Sequence, residues 1–524
     1  MSKLPSYLLA ATLMLPMLLN AQPPEFITAL SPREAARILE QGTWGPTPSE
    51  IASLQSQGLK NWLAAQFAAP ISTYADQPLL DSAGKNNGNL APVEIQFFQN
   101  MVSGQDQLRQ RVALALSEIW VVSELQVNNA QAFPPLMRLF QNDAFGNYET
   151  VMRDVSLNPG MGKMLNMVNN NKGNPAKGTA ANENYARELM QLFTLGLVQL
   201  SNFGTSVLDG NGNPIPTFTQ ADVVDNAKAL TGWTYALASG SAATGNNSQY
   251  FLSPMIPLET QHDTTAKSLL DVSLPANQSA EQDLQQSLHI IFEQSTLPPF
   301  ISKQLIQHLV TSNPNPEYVD RVAEVFINNG SGVRGDLRAV ITAILTDPDA
   351  RGPDGPWDTH EGDYGHLKEP VLLLGNLLRG LNGAVGTSST IYNVASNLGQ
   401  DPFYAPSVFS YFSPQYQLGR DEYAPEFQIY STQTASNRIN TINTIVYGGK
   451  LDAATTFDLS SFLSLGGDPQ ALIASINQIF FHSAMSASLN SALIAGMSGQ
   501  TNATSAAQAA LYLALTSSEF QVAH

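Results

Sequence analysis

The chain has 524 residues, 43% of them hydrophobic, no cysteine, and 25 Lys+Arg against 43 Asp+Glu for a formal charge of −18. It is long enough to bury at least one large core, and without cysteine it has no disulfide, thiolate metal site, c-type haem attachment, cysteine-linked lipid or cysteine nucleophile. The negative balance disfavours nucleic acid and anionic membranes as partners and leaves neutral glycans, peptides or another protein.

Residues 1–21 read as a secretory signal peptide, with Lys3 ahead of an apolar run over 7–19, Pro16 within it, and Ala21 at the cleavage point. No later run reaches about 18 uninterrupted apolar residues, so no transmembrane segment is expected in the mature chain. The expected location is the periplasm, the cell surface or the medium. Ser31 and Thr47 each stand before a proline and open helices, the hydroxyl capping and the proline filling the first turn. Apolar residues at a 3.6-residue period predict helices over 108–122, 151–167, 284–292, 302–310, 318–328, 337–345 and 371–381. A further helix opens near Asn182 and stops at Gly196, and Thr219 with Asp222 forms a capping box for another.

Polar, glycine-rich stretches over 169–179, 209–216, 236–249 and 351–365 read as long loops, where a helical scaffold would carry a binding site. From 451 the composition shifts to Ala, Ser, Leu and Gly. The expected architecture is therefore mainly α: a large multi-helix globular domain over 22–450 with long loops and a short β-hairpin, and a small C-terminal helical subdomain over 451–524 packed on it.

Candidate chemistry concentrates in Asn182-Glu183-Asn184-Tyr185-Ala186-Arg187-Glu188-Leu189. Glu183 and Arg187 lie at i, i+4, a spacing that suits a plain helix-surface ion pair. The sharper alternative projects Glu183, Arg187 and Glu188 into a cleft as an acid/base pair with an orienting cation. His262-Asp263 offers an imidazole with a carboxylate beside it, a general base, a metal ligand or a capped loop. Trp233 is either a stacking platform for a sugar or a buried aromatic behind a helix stop. Residues 358–369 hold His360, Glu361, Asp363 and His366, the densest set of candidate metal ligands, although their spacing matches no standard zinc helix. Asp209-Gly210-Asn211-Gly212-Asn213-Pro214 resembles a calcium loop but has Pro214 where glycine is needed, which favours a tight turn. No serine nucleophile elbow, P-loop or dinucleotide fingerprint is present.

The 182–196 segment, Ala229-Leu230-Thr231-Gly232-Trp233, His262-Asp263 with Lys267, Leu398-Gly399-Gln400-Asp401-Pro402-Phe403, Ala424-Pro425-Glu426-Phe427-Gln428 and Ser518-Glu519-Phe520-Gln521 together resemble a large bacterial family known as domain of unknown function 1800. The resemblance spans nearly the whole mature chain. It departs at Leu116-Ser117-Glu118-Ile119-Trp120, where many members carry a Trp-His-X-His-Phe run. The family resemblance implies an exported partner protein of sulfatase-like type. From these features the leading expectation is an exported hydrolase of an extracellular or envelope polysaccharide. Its catalytic set would be Glu183, Arg187, Glu188, His262 and Asp263, with Asn182, Asn184, Trp233 and Lys267 contacting substrate. One alternative is a non-catalytic envelope binding or assembly protein. Another is a metal-dependent hydrolase with a divalent metal on His360, Glu361, Asp363 and His366.

Overall fold

The computed structural model describes residues 30–351, 365–419 and 422–523. The leader and the candidate ligands His360, Glu361 and Asp363 lie outside these residues. Among the described residues the chain forms 23 α-helices and four two-stranded antiparallel ladders, a mainly α fold. No described helix is long and apolar enough to cross a membrane.

Local chemistry sets many of the helix ends. Ser31 accepts from the Glu34 amide while the Glu34 carboxylate accepts from the Ser31 amide, and Pro32–Gly42 follows. Thr47 caps Pro48–Ala68, a helix that bends at Gly58. Thr219 and Asp222 form the reciprocal box that opens Gln220–Ala229. Two helices are buried nearly all round, Gln107–Ile119 and Pro370–Gly380. The first packs against Pro48–Ala68, Phe133–Asp143 and Leu297–Leu309, and its burial draws on apolar area at about 25 cal/mol per Å². It also carries Arg109, Arg111 and Glu118 into the interior, so each must find partners there. Trp120, just beyond its end, is fully buried against Phe193, and its indole N–H donates to the Tyr148 hydroxyl at 3.1 Å.

Two helices are shorter than their apolar period predicts. The 151–167 segment breaks into Tyr148–Ser156 and Pro159–Met164, because Pro159 lacks an amide donor and Asn158 caps a new start. The signature helix runs only over Asn184–Gln191. Its chain then leaves through Gly196 into a meander in which Val198 bridges Pro216 and Leu208 bridges Pro214. Asp209 closes the turn of that meander by accepting from the amides of Asn211 and Asn213. A hairpin pairs Lys267–Leu269 with Val272–Leu274 through Leu270-Asp271, both at positive φ, as a type I′ turn requires.

The 451–523 segment contributes the helices Pro469–Phe480, Ala487–Ser498 and Ala503–Thr516. Two ladders tie it to the preceding chain: Thr455–Phe457 on Gly383–Val385, and Val522–Ala523 on His366–Leu367. The Ser518–Gln521 signature works at this seam. Phe520 O accepts from Lys368 Nζ at 2.9 Å, Gln521 Oε1 accepts from Arg438 at 3.0 Å, and Glu519 accepts from the Ser486 amide at 3.0 Å.

Candidate functional site

The segments singled out in the sequence do converge, but most of their polar groups are spent on one another. Glu183 and Arg187 pair at 2.8 Å on a helix face about one third exposed, and the Gln220 amide joins both. The Asn182 side chain accepts from the Asn184 amide at 2.9 Å, and its backbone exchanges two hydrogen bonds with the Asn170 side chain. Glu188 is half-buried, and desolvation raises its carboxyl above the ordinary range despite the Arg187 charge. His262 is fully buried: Nε2 lies 3.0 Å from Asp283 and Nδ1 2.9 Å from the Thr231 carbonyl. Both ring nitrogens are thus engaged. Lys267 Nζ donates to the same Asp283 oxygen at 2.6 Å and to the carbonyls of Asp263 and Thr265. Burial would raise the Asp283 carboxyl, but hydrogen bonds from His262, Lys267 and Gln278 hold it below its ordinary value. Asp263 accepts from the Thr265 amide and hydroxyl, closing its own turn. His366 sits in a ladder with Ala523, 3.4 Å from Glu426. Among the described residues no three His, Asp or Glu side chains are placed to hold a metal ion.

This buttress holds Trp233. Gly232 takes φ of 80°, and a Cβ there would come within 2.9 Å of the His262 backbone, so only glycine lets the two segments touch. Trp233 then pairs with Pro257 and lies almost wholly buried, its indole N–H without a partner among the described residues. It forms part of the wall of an open groove of about 500 Å³ between the ends of Phe133–Asp143 and Tyr148–Ser156 and the 251–257 segment. That volume suits a small ligand or a few sugar units of a chain.

The groove brings together two carboxylates that the sequence reading did not select, Asp143 and Asp154. Burial pushes the Asp143 carboxyl up to about 6 and the nearby Asp154 charge adds to it. Asp143 Oδ2 has no hydrogen-bond partner among the described residues. Arg153 spans from Asp154 (3.4 Å) to Glu281 (2.9 Å), while Arg138 pairs with Asp76 at 2.6 Å on the far side. Phe251 lies fully buried behind the groove, its ring packed edge-on to Tyr235. Two carboxyls in unlike surroundings, one raised to about 6, can divide general-acid and general-base work.

A second polar centre is internal. The Gln400 amide donates from one nitrogen to Glu118 Oε1 at 2.8 Å and to Glu369 Oε2 at 2.5 Å, while its oxygen accepts from the Val371 amide at 2.9 Å. Burial drives the Glu118 carboxyl up to about 7; burial and then the Glu118 charge drive Glu369 up to about 8. Cavities of about 40 and 20 Å³, each roomy enough for water, flank Glu118 and Ser410. The helix Phe133–Asp143 divides the two centres, with Leu136 and Met137 lining the internal cavity and Arg138 and Leu139 lining the groove. Sequence reading passed over Glu118 because its partners come from remote segments; the usable signal was a lone carboxylate at the end of the apolar run 112–116.

Fold and sites together define a large, mainly α-helical protein with an internal carboxyl network and an acid-bearing surface groove. The chain belongs to the family described as protein of unknown function (DUF1800), matched over residues 37–522. No curated protein and no solved structure matches it.

Proposed function

We propose that this protein is an exported hydrolase that cleaves an extracellular or envelope polysaccharide in the groove carrying Asp143 and Asp154. The observation behind this reading is a desolvated carboxyl with an unpaired oxygen beside a second carboxylate in an open groove of about 500 Å³. Asp143, in its protonated form, donates its proton to the glycosidic oxygen as the bond to the anomeric carbon breaks. Asp154 takes a proton from the water whose oxygen bonds to that carbon. Arg153 lies 3.4 Å from Asp154 and orients it, and Leu252, Pro254 and Pro257 give the sugar face an apolar surface. The leader over 1–21 supports export, and the low positive charge favours a neutral glycan.

The test is release of new reducing ends from a panel of neutral polysaccharides by residues 22–524, compared with Asp143→Asn and Asp154→Asn. Each variant should lose about 100-fold or more in rate at an unchanged melting temperature, while Glu183→Gln keeps its activity. The rival reading, an envelope binding or assembly protein working with an exported partner, draws on the ion pairs that occupy Glu183, Arg187, His262 and Lys267. Glycan binding without new reducing ends would support it over hydrolysis.

A further inference from the structure

We propose that the 398–411 loop is a proton-operated latch: it stays closed while Glu118 with Glu369, and Glu94 with Asp401, each hold a shared proton, and it opens when those protons leave.

Two adjacent loop residues make the two closures. Gln400 places one nitrogen against both Glu118 and Glu369, which forces two buried carboxyls into a single hydrogen-bonded group. Asp401 faces Glu94 from the helix Ala91–Ser103. Glu94 Oε1 and Asp401 Oδ1 have no donor among the described residues. A proton held between the two carboxyls satisfies both oxygens, as in other close carboxyl pairs. With both groups ionised, each closure would set two negative charges at hydrogen-bond range inside the protein.

The groups around each pair are mixed in charge. Around Glu118, Arg111 lies on the same helix, His308 Nδ1 stands 3.2 Å from Oε2 without hydrogen-bond alignment, and Glu426 adds a further negative charge. Glu369 is also within reach of Arg438. Tyr411, on the loop itself, is buried beside Glu118 and donates to the Asp401 carbonyl. Around Glu94, Glu124 repels a second charge, Lys163 faces Glu124, and the Tyr404 phenol lies nearby in its neutral form. Burial and the partner carboxyl push Glu94 up to about 9.

The backbone supplies the opening force. Phe403 and Ser410 sit at φ of 70° and 64°, a region costly for residues with a Cβ. Phe403 is held by a hydrogen bond from the Glu124 amide to its carbonyl at 2.9 Å, Ala405 by one from Ser123 Oγ at 2.7 Å, and Ser410 by its own amide donating to Ser407 O at 3.2 Å. A strained segment clamped by protonated pairs has two states, and pH selects between them.

The test is hydrogen exchange of the 398–411 amides in residues 22–524 between pH 6 and 9, corrected for the intrinsic pH dependence of exchange. Wild type should lose protection by about tenfold or more over that range while the helix Leu337–Thr346 keeps its own. Glu118→Gln preserves the acceptor for Gln400 but cannot ionise, so its loop should lose clearly less protection than wild type between pH 6 and 9. Glu94→Gln is the independent second arm, with melting temperatures recorded for all three proteins. Wild-type protection that does not change up to pH 9, or folded variants that lose it in parallel with wild type, would overturn the latch.

Discussion

At the scale of single residues, exposure decides which of the conspicuous charges matter. The Glu183–Arg187 pair is about one third exposed on each side and bridged by a glutamine, so water and salt screen it. Arg187→Ala should cost only about 0.3–0.5 kcal/mol, read as a small shift in the urea midpoint. Asp283 is the opposite case, because it is the shared acceptor for a buried imidazole and a buried ammonium. Asp283→Asn leaves Lys267 without its counter-charge, and about 3–5 kcal/mol of stability should be lost. Urea unfolding of the two variants side by side checks the contrast. An Asp283→Asn protein as stable as Arg187→Ala would mean that water reaches Lys267.

At the scale of elements, the sequence is most readable where a few neighbouring residues settle the outcome. Ser31 with Glu34, Thr219 with Asp222 and the Asp209 turn involve partners three or four positions apart, and all three form as their side-chain chemistry dictates. The hairpin turn at Leu270-Asp271 lacks the glycine or asparagine that marks such turns, so its position follows from the pairing of its strands rather than from local preference. The internal carboxyl centre is less readable still, since Glu118 meets Gln400 across 282 residues. The groove was legible only through Trp233; Asp143 and Asp154 follow from how two helices meet. Gly232 shows how such elements depend on one atom. Gly232→Ala would place a Cβ within 2.9 Å of the His262 backbone at φ of 80°. The expected cost is about 2–4 kcal/mol from strain and displacement. Loss of ligand binding in the groove before loss of global fold, measured by glycan binding against the melting temperature, would show that the buttress positions Trp233.

At the scale of the whole molecule, the C-terminal segment closes the fold over a buried ion cluster, and that cluster should contribute to the loss of stability in acid. Glu40 lies between Lys368 Nζ at 3.2 Å and His482 Nε2 at 3.7 Å, with all three groups almost wholly buried. Burial alone would raise the Glu40 carboxyl, but the Lys368 charge and His482 together bring it down to about 2. Its folded value is therefore below the ordinary 4.5 of an exposed glutamate. A depressed carboxyl contributes stability that is present above the unfolded value and is lost as pH falls through the folded one. The window for this group runs from about 4.5 down to about 2. Glu40→Gln should therefore be less stable at neutral pH, since Lys368 keeps its charge without an anion, by about 3–5 kcal/mol. Its stability should then fall less steeply than wild type on acidification through that window. Urea midpoints of both proteins at half-unit steps from pH 2 to 7 give the comparison. Parallel curves would mean that other carboxylates set the acid limb, and converging curves would assign it to the seam that Lys368, His482 and the final strand close together.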